Sequence, residues 1–397
     1  MQIPPWRSLL ALTLSSTLSL FLILGQQGIF KASSFKMSAS SIEALARLNQ
    51  TYAMHVEPLA LGSRSLQSSL LSANSLEVWP DNNMGLIVTL DDFDSGMLVL
   101  EPKEARGARE LLQIGEAYVQ AIPEFSSIEL DQTIILQGEP VYSWPGFDLM
   151  NQDESITLSE EDPNKEVVVG IIDSGLDRKH PFFEDRTILK GYNAVNNKDE
   201  DEVGHGTHIA GIIASHSPNA VLAPYKIVSA EGGRLSNVLM AFYKALEDNV
   251  DVINTSFGLM NPSPALEKIL LRAEQKGVFV VSAAGNNNSD AGFYPATYAN
   301  AIAVAAVNDT GVKTPKSNYG SWVDVAAPGN WVRSTLPGGR YGYKSGTSQS
   351  TAVVSGLLAE HLYESAEAPS LEDVFIWFKN IGTPLTDGPL AGLPIVQ

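Results

Sequence analysis

The chain has no cysteine. Disulfides, thiol catalysis and thiolate metal sites are therefore excluded. A chain of 397 residues must then be held together by a large buried core, which its length permits. Positive charge is scarce as well: 26 Lys and Arg stand against 45 Asp and Glu, for a net charge of −19. No Lys/Arg cluster occurs, so the basic footprint of a nucleic-acid-binding protein is missing. There is no internal repeat, heptad or low-complexity tract. Of the six histidines, His205 and His208 are spaced to share one helix side. Without cysteine or a Glu-x-x-His acidic partner, that spacing is weak support for zinc, and His208 is read as a packed helix residue. His55, His180, His216 and His361 stand alone and are assigned no chemistry.

The N-terminus has a plain pattern. Met1 to Arg7 is positively charged and Ser8 to Gly25 is Leu-rich and nearly uncharged. Residues 1–27 are read as a signal peptide, which implies a secreted or extracytoplasmic (periplasmic) location. The alternative is an uncleaved membrane anchor, since about 18 apolar residues just span a bilayer. Residues 40–152 mix helical spacing (Ile42–Leu48, Glu104–Gln120) with strand patterns (Gly85–Leu90, Met97–Leu100, Thr133–Leu136) and an acidic turn at 91–96. This is a small α+β region. Residues 153–164 carry five acidic side chains and Pro163, and read as an exposed linker open to cleavage.

From residue 165 to 397 the rhythm changes. Apolar strands at Val167–Ile172, Ala220–Ile227, Val250–Ser256 and Gly277–Ala283 alternate with helical patterns at Leu235–Asp248 and Pro264–Lys276. That alternation predicts an α/β fold: a doubly wound, mostly parallel sheet with helices on both faces. Helices are also expected at Thr351–Tyr363 and Leu371–Lys379, followed by an extended Pro/Gly-rich end.

Three short segments carry the chemistry. A buried-strand run ends on Asp173, a glycine-punctuated turn opens a helix at His205, and Gly346-Thr347-Ser348 precedes another helix. A serine hydroxyl becomes a nucleophile when an imidazole accepts its proton and a carboxylate orients that imidazole. Taken singly, Asp173 suits a turn, His205 a loop and Ser348 a helix N-cap. Jointly they fall at strand carboxyl ends or helix starts, where open α/β sheets place ligand sites.

These motifs resemble those of the subtilisin-like serine proteases (peptidase family S8), in the chain order Asp, His, Ser. The likeness covers roughly residues 165–365 and extends to Asn254-Thr255-Ser256-Phe257-Gly258, Tyr294-Pro295-Ala296-Thr297-Tyr298, Asp324–Gly329 and Ser334–Gly338. It implies a serine endopeptidase acting on polypeptide, with Asp173, His205 and Ser348 as triad and Asn286 as oxyanion-hole donor. It implies two strands flanking an extended peptide, Ser256-Phe257-Gly258 and Gly233-Arg234-Leu235. It also implies that residues 40–152 act as a propeptide. No cofactor is required. Calcium is common in such proteins and Asp199–Glu202 offers oxygen ligands, although a charge run is ordinarily a solvated face. At the nucleophile the chain departs from the family's Ser-Met-Ala-x-Pro: Gln349, Ser350 and Thr351 follow Ser348. The alternative function is accordingly a catalytically weakened binding protein of the same fold, or a membrane-anchored regulator.

Overall fold

The computed structural model describes residues 38–59, 85–90, 97–103, 106–136, 165–196, 198 and 200–397. The chain divides into two compact units, one ending at Asp131 and one beginning at Gln132. The signal-like segment 1–27, the acidic turn 91–96 and the linker 153–164 lie outside the described residues.

In the first unit the elements run α1 (Ala39–Tyr52), β1 (Met54–Leu59), β2 (Leu86–Leu90), β3 (Met97–Pro102), α2 (Ala108–Ala121) and β4 (Phe125–Leu130). The strands pair antiparallel in the order β1-β3-β2-β4. Ser38 caps α1 by accepting the Ser41 N–H at 3.2 Å. Leu111, Ile114, Gly115 and Tyr118 are the buried residues of α2, spaced to form one stripe. Gly115 lets that stripe lie close on the sheet, since a Cβ there would sit 2.6 Å from Ile128 Cδ1. Leu86, Val88, Leu98 and Leu100 complete the core of this unit. Strand β4 was not anticipated, because Ser126, Ser127 and Glu129 break its apolar pattern.

The second unit holds β5 (Ile135–Leu136), β6 (Val168–Asp173), β7 (Tyr192–Asn193), α3 (His205–His216), β8 (Val221–Lys226), β9 (Val228–Ser229), β10 (Gly232–Gly233), α4 (Leu235–Glu247), β11 (Val252–Thr255) and β12 (Phe257–Gly258). It continues with α5 (Pro264–Gln275), β13 (Phe279–Ala283), β14 (Ala301–Val307), β15 (Val325–Pro328), β16 (Val332–Leu336), β17 (Arg340–Lys344), α6 (Thr347–Glu364), α7 (Leu371–Ile381), β18 (Thr383–Pro384) and β19 (Pro394–Ile395). Nine strands form one sheet in the order β18-β19-β15-β14-β13-β11-β6-β8-β7. Every pairing in it is parallel except β18 with β19.

Strands β8 and β14 are buried along their whole length, as a sheet covered on both faces demands. On one face α3, α6 and α7 share a core with Val169, Ile171, Val281 and Val304. Helices α4 and α5 pack against β6, β8 and β13 from the other. The doubly wound α/β fold expected from the strand–helix rhythm is therefore the fold observed. After β6 the chain passes through α3 to β8 on one side, then through α4 to β11 on the other. Strand β6 is thus the point where the winding reverses, and the crevice beyond its carboxyl end is where such sheets bind ligands.

The nucleophile helix begins four residues earlier than its apolar pattern suggested, at Thr347 rather than Thr351. Thr347, Ser348, Gln349 and Ser350 are polar yet fully buried, so hydropathy could not mark that first turn.

Candidate active site

Asp173 is the last residue of β6 and is fully buried. The backbone N–H of Ser174 donates to its Oδ1 at 2.7 Å. His205 opens α3, and its Nδ1 lies 2.8 Å from both Asp173 Oδ1 and Oδ2. That contact places the ring proton on Nδ1, which leaves Nε2 as the basic atom. Two glycines permit the approach. Gly204, the helix N-cap, has φ 75, a left-handed conformation that favours glycine. A Cβ on Gly206 would stand 2.2 Å from the Gly175 carbonyl oxygen.

Asp201 holds this corner together. Its buried carboxylate accepts Ser174 Oγ–H at 2.7 Å, Gly204 N–H at 2.7 Å, Thr207 N–H at 2.8 Å and Thr207 Oγ–H at 2.6 Å. Ser174 Oγ accepts the Gly206 N–H at 2.9 Å, closing the link between the Asp173 turn and the His205 helix. A carboxylate at a helix N-terminus also suits the helix dipole. Of the remaining acidic run, Lys226 Nζ donates to the carbonyls of Lys198 and Glu200, and Lys198 pairs with Glu202 at 2.9 Å. These contacts describe a lysine-laced turn; Asp199 lies outside the described residues. Among the described residues no group of three or more His, Asp or Glu is placed to hold a metal ion.

Ser348 is the second residue of α6 and is fully buried. Its Oγ donates to the Ser256 carbonyl at 3.2 Å, and Ser256 Oγ donates back to the Ser348 carbonyl at 3.3 Å. Helix α6 packs on α3 and on β6, which brings the three candidate residues to one corner. Asn286 follows the end of β13. Its Oδ1 accepts Thr347 N–H at 3.0 Å and Thr347 Oγ–H at 3.1 Å. With the oxygen so engaged, the amide presents Nδ2 as its donor. Asn318 supports this loop: its Oδ1 accepts Asn287 and Ser289 N–H, and its Nδ2 donates to Ala284 O.

Of the two segments expected to flank substrate, Phe257-Gly258 is strand β12, whereas 233–235 is not one strand: Gly233 ends β10, Arg234 is the N-cap of α4 and Leu235 its first residue. A third segment of the chain lies between them. Strand β5 pairs antiparallel with β12, Ile135 opposite Gly258 and Leu136 opposite Phe257. On its other side Thr133 bridges Arg234, Ile134 N–H donates to Gly233 O at 3.1 Å, and Leu235 N–H donates to Gln132 O at 2.8 Å. Gly258 is required there, because a Cβ would stand 2.0 Å from the Phe293 ring.

His208 packs against the β16–β17 hairpin, its backbone carbonyl accepting the Ser334 hydroxyl at 2.7 Å. It is fully buried, its Nε2 lies 3.3 Å from Gly342 O, and burial foremost lowers its pKa to about 3. It is a neutral packed residue, as read from the sequence. The sequence offered Asp201 only as a candidate calcium ligand and Thr347 only as part of the Ser348 motif, and it assigned Ser174 and Asn318 no role. Their roles come from hydrogen bonds to residues distant in the chain, for which a single sequence carries no signal.

The subtilase family model matches residues 164–374. The chain is 40% identical over 204 residues to a thermophilic serine proteinase of Bacillus sp. (strain AK1), covering 48% of this chain and 51% of that protein. It is 35% identical over 245 residues to subtilisin BL of Lederbergia lenta, covering 58% and 88%. A crystal structure of a lanthipeptide protease superposes with a TM-score of 0.54 at 25% identity, over 58% of this chain and 85% of that one. The chain spans about half the length of several of these curated relatives. The match begins just before the strand that delivers Asp173 and ends beyond the helix that delivers Ser348, and on that extent the chain belongs to the subtilase family.

Proposed function

We propose that the chain is a serine endopeptidase that cleaves extended polypeptides through Asp173, His205 and Ser348. The observation that carries this reading is the peptide already lying in the crevice. Residues 132–136 add as a strand between β12 and the 233–235 segment, by main-chain hydrogen bonds that any sequence can supply. In the reaction, His205 Nε2 accepts the Ser348 proton while Asp173 holds the imidazole and stabilises the cation that forms. Ser348 Oγ bonds to the carbonyl carbon, and the oxygen takes up the electron pair. Asn286 Nδ2 and the Ser348 N–H are the donors for that oxygen. The proton then passes from His205 to the leaving amine, and water repeats the cycle on the acyl-enzyme.

On this reading the first unit and its continuation through residue 136 act as a propeptide, and residues 1–27 direct the chain out of the cytoplasm. Among the described residues no helix is long and apolar enough to cross a membrane. The test is direct. Wild type should hydrolyse casein and bind a fluorophosphonate at Ser348, and Ser348→Ala should do neither. Hydrolysis by Ser348→Ala at more than a trace of the wild-type rate would refute the assignment.

A further inference from the structure

Gln349 lies beside the nucleophile with no group to bind. It is the third residue of α6 and is fully buried, and neither its Oε1 nor its Nε2 has a hydrogen-bond partner among the described residues. An unpaired primary amide in a closed site costs free energy that a hydrocarbon of the same size would not. Its surroundings indicate what could pair it. A Cβ built on Gly346 would sit 2.9 Å from Asn286 Nδ2 and 3.4 Å from Gln349 Oε1. Two side-chain amides therefore border the same small space at the nucleophile turn. Thr347 orients the Asn286 amide, whereas no bond orients that of Gln349. The terminal torsion of Gln is broad and roughly two-fold, so a half-turn exchanges its oxygen and nitrogen.

We propose that Gln349 is a further catalytic residue, whose Nε2–H donates to the oxyanion as a third donor beside Asn286 Nδ2 and the Ser348 N–H. This rests on the serine-peptidase reading. When Ser348 Oγ bonds to the carbonyl carbon, the π pair becomes a lone pair on oxygen and the hydroxyl proton goes to His205. The oxygen then carries full negative charge and attracts an additional donor that the ground-state carbonyl does not hold. A bond made only at that stage raises kcat and leaves KM nearly unchanged. The amide that is unpaired in the resting site is thereby paired in the transition state.

The experiment uses the full chain after it has matured. Gln349→Met and Gln349→Leu keep the volume and remove the donor. Each is measured for kcat, KM and inhibition by a peptide aldehyde, which forms a tetrahedral adduct with the serine, and by the matching peptide alcohol, which cannot. Each variant should lose about tenfold or more in kcat and in aldehyde affinity, the size expected for one charge-assisted donor, with KM and alcohol affinity within about twofold. Either variant suffices should the other fail to fold. Retention of kcat and aldehyde affinity within about twofold would make Gln349 a packing residue and overturn the proposal. Equal weakening toward aldehyde and alcohol would overturn it too. The peptidase reading is judged separately by the wild type. An active, fluorophosphonate-labelled wild type with an indifferent Gln349 defeats this proposal alone, whereas an inert, unlabelled wild type defeats both.

Discussion

His208, buried, and Asp324, half-buried, have proton affinities that move in opposite directions. Burial foremost lowers His208 from 6.5 to about 3 and raises Asp324 from 3.8 to about 6. Between about pH 4 and 6 the unfolded chain binds one proton more at His208, so that term makes stability rise with pH. Over the same interval the folded chain binds more proton at Asp324, most of one near pH 5 and about half of one at either end, so that term makes stability fall with pH. Neither slope exceeds about 1.4 kcal/mol per pH unit, and in wild type the two oppose each other. His208→Gln keeps a donor for Gly342 O and should expose the Asp324 term, with stability falling from pH 4 to 6. Asp324→Asn keeps an acceptor for the Ala303 N–H, bound at 2.8 Å, and should expose the opposite slope. Denaturant titrations at intervals across this range measure both. Parallel pH profiles for the two variants would contradict the assignment. Neither shift was legible in the sequence, since both arise from packing by distant elements. The candidate triad was legible, because Asp173, His205 and Ser348 each sit in a short local motif.

At the scale of elements, the site depends on how closely α3 and α6 cross, since these helices carry His205 and Ser348 at their first turns. Gly356 sets the distance. A Cβ there would be 2.6 Å from His216 Cβ and 2.9 Å from the Ile213 carbonyl oxygen. Alanine gains up to about 1 kcal/mol of helix preference over glycine. Overpacking against a backbone carbonyl has no rotamer to relieve it and costs about 1–3 kcal/mol. The clash is expected to win. Gly356→Ala should lower stability by about 1–2 kcal/mol in denaturant melts. It should also lower kcat, because the helix starts carry the reacting groups. Unchanged stability and unchanged kcat would show that the crossing has slack. Strands β6, β8, β11 and β13 and the helices of the second unit were readable from the sequence, whereas the alanine-rich β14 and the short β15 were not anticipated. Nor were the hairpin β16–β17 and the first turn of α6. Exposed Arg333, Tyr341 and Tyr343 give the hairpin little apolar pattern, and the turn is buried polar chain.

For the whole molecule the proposed reading concerns the order of events along the chain. The 132–136 segment pairs with β12, Leu136 opposite Phe257, and the carbonyl of the neighbouring Ser256 accepts the Ser348 hydroxyl. If that segment is the product side of a cut made by the chain itself, the cut is expected past Leu136. The acidic stretch 153–164, where the sequence suggested the cut, lies past it. N-terminal sequencing of purified wild type should find a start past Leu136, whereas Ser348→Ala should keep residues 38–136 joined to the rest. A wild type that hydrolyses substrate while remaining one uncut chain would make the first unit a permanent domain.

Composition and local motif determined a good deal without any structure. The absence of cysteine excluded disulfides, the alternation of strands and helices predicted a doubly wound sheet, and three motifs marked the candidate acid, base and nucleophile. Those properties are local, or sums over the chain, and local order is what a sequence displays. Only the tertiary structure decided that β6 is the strand where the winding reverses, and that Asp201 ties the Asp173 turn to the His205 helix. It alone decided that residues 132–136 lie as a strand in the crevice and that Gln349 is buried without a partner. Each of these depends on contacts between residues far apart in sequence, whose pairing is settled by packing and by the need to satisfy buried polar groups.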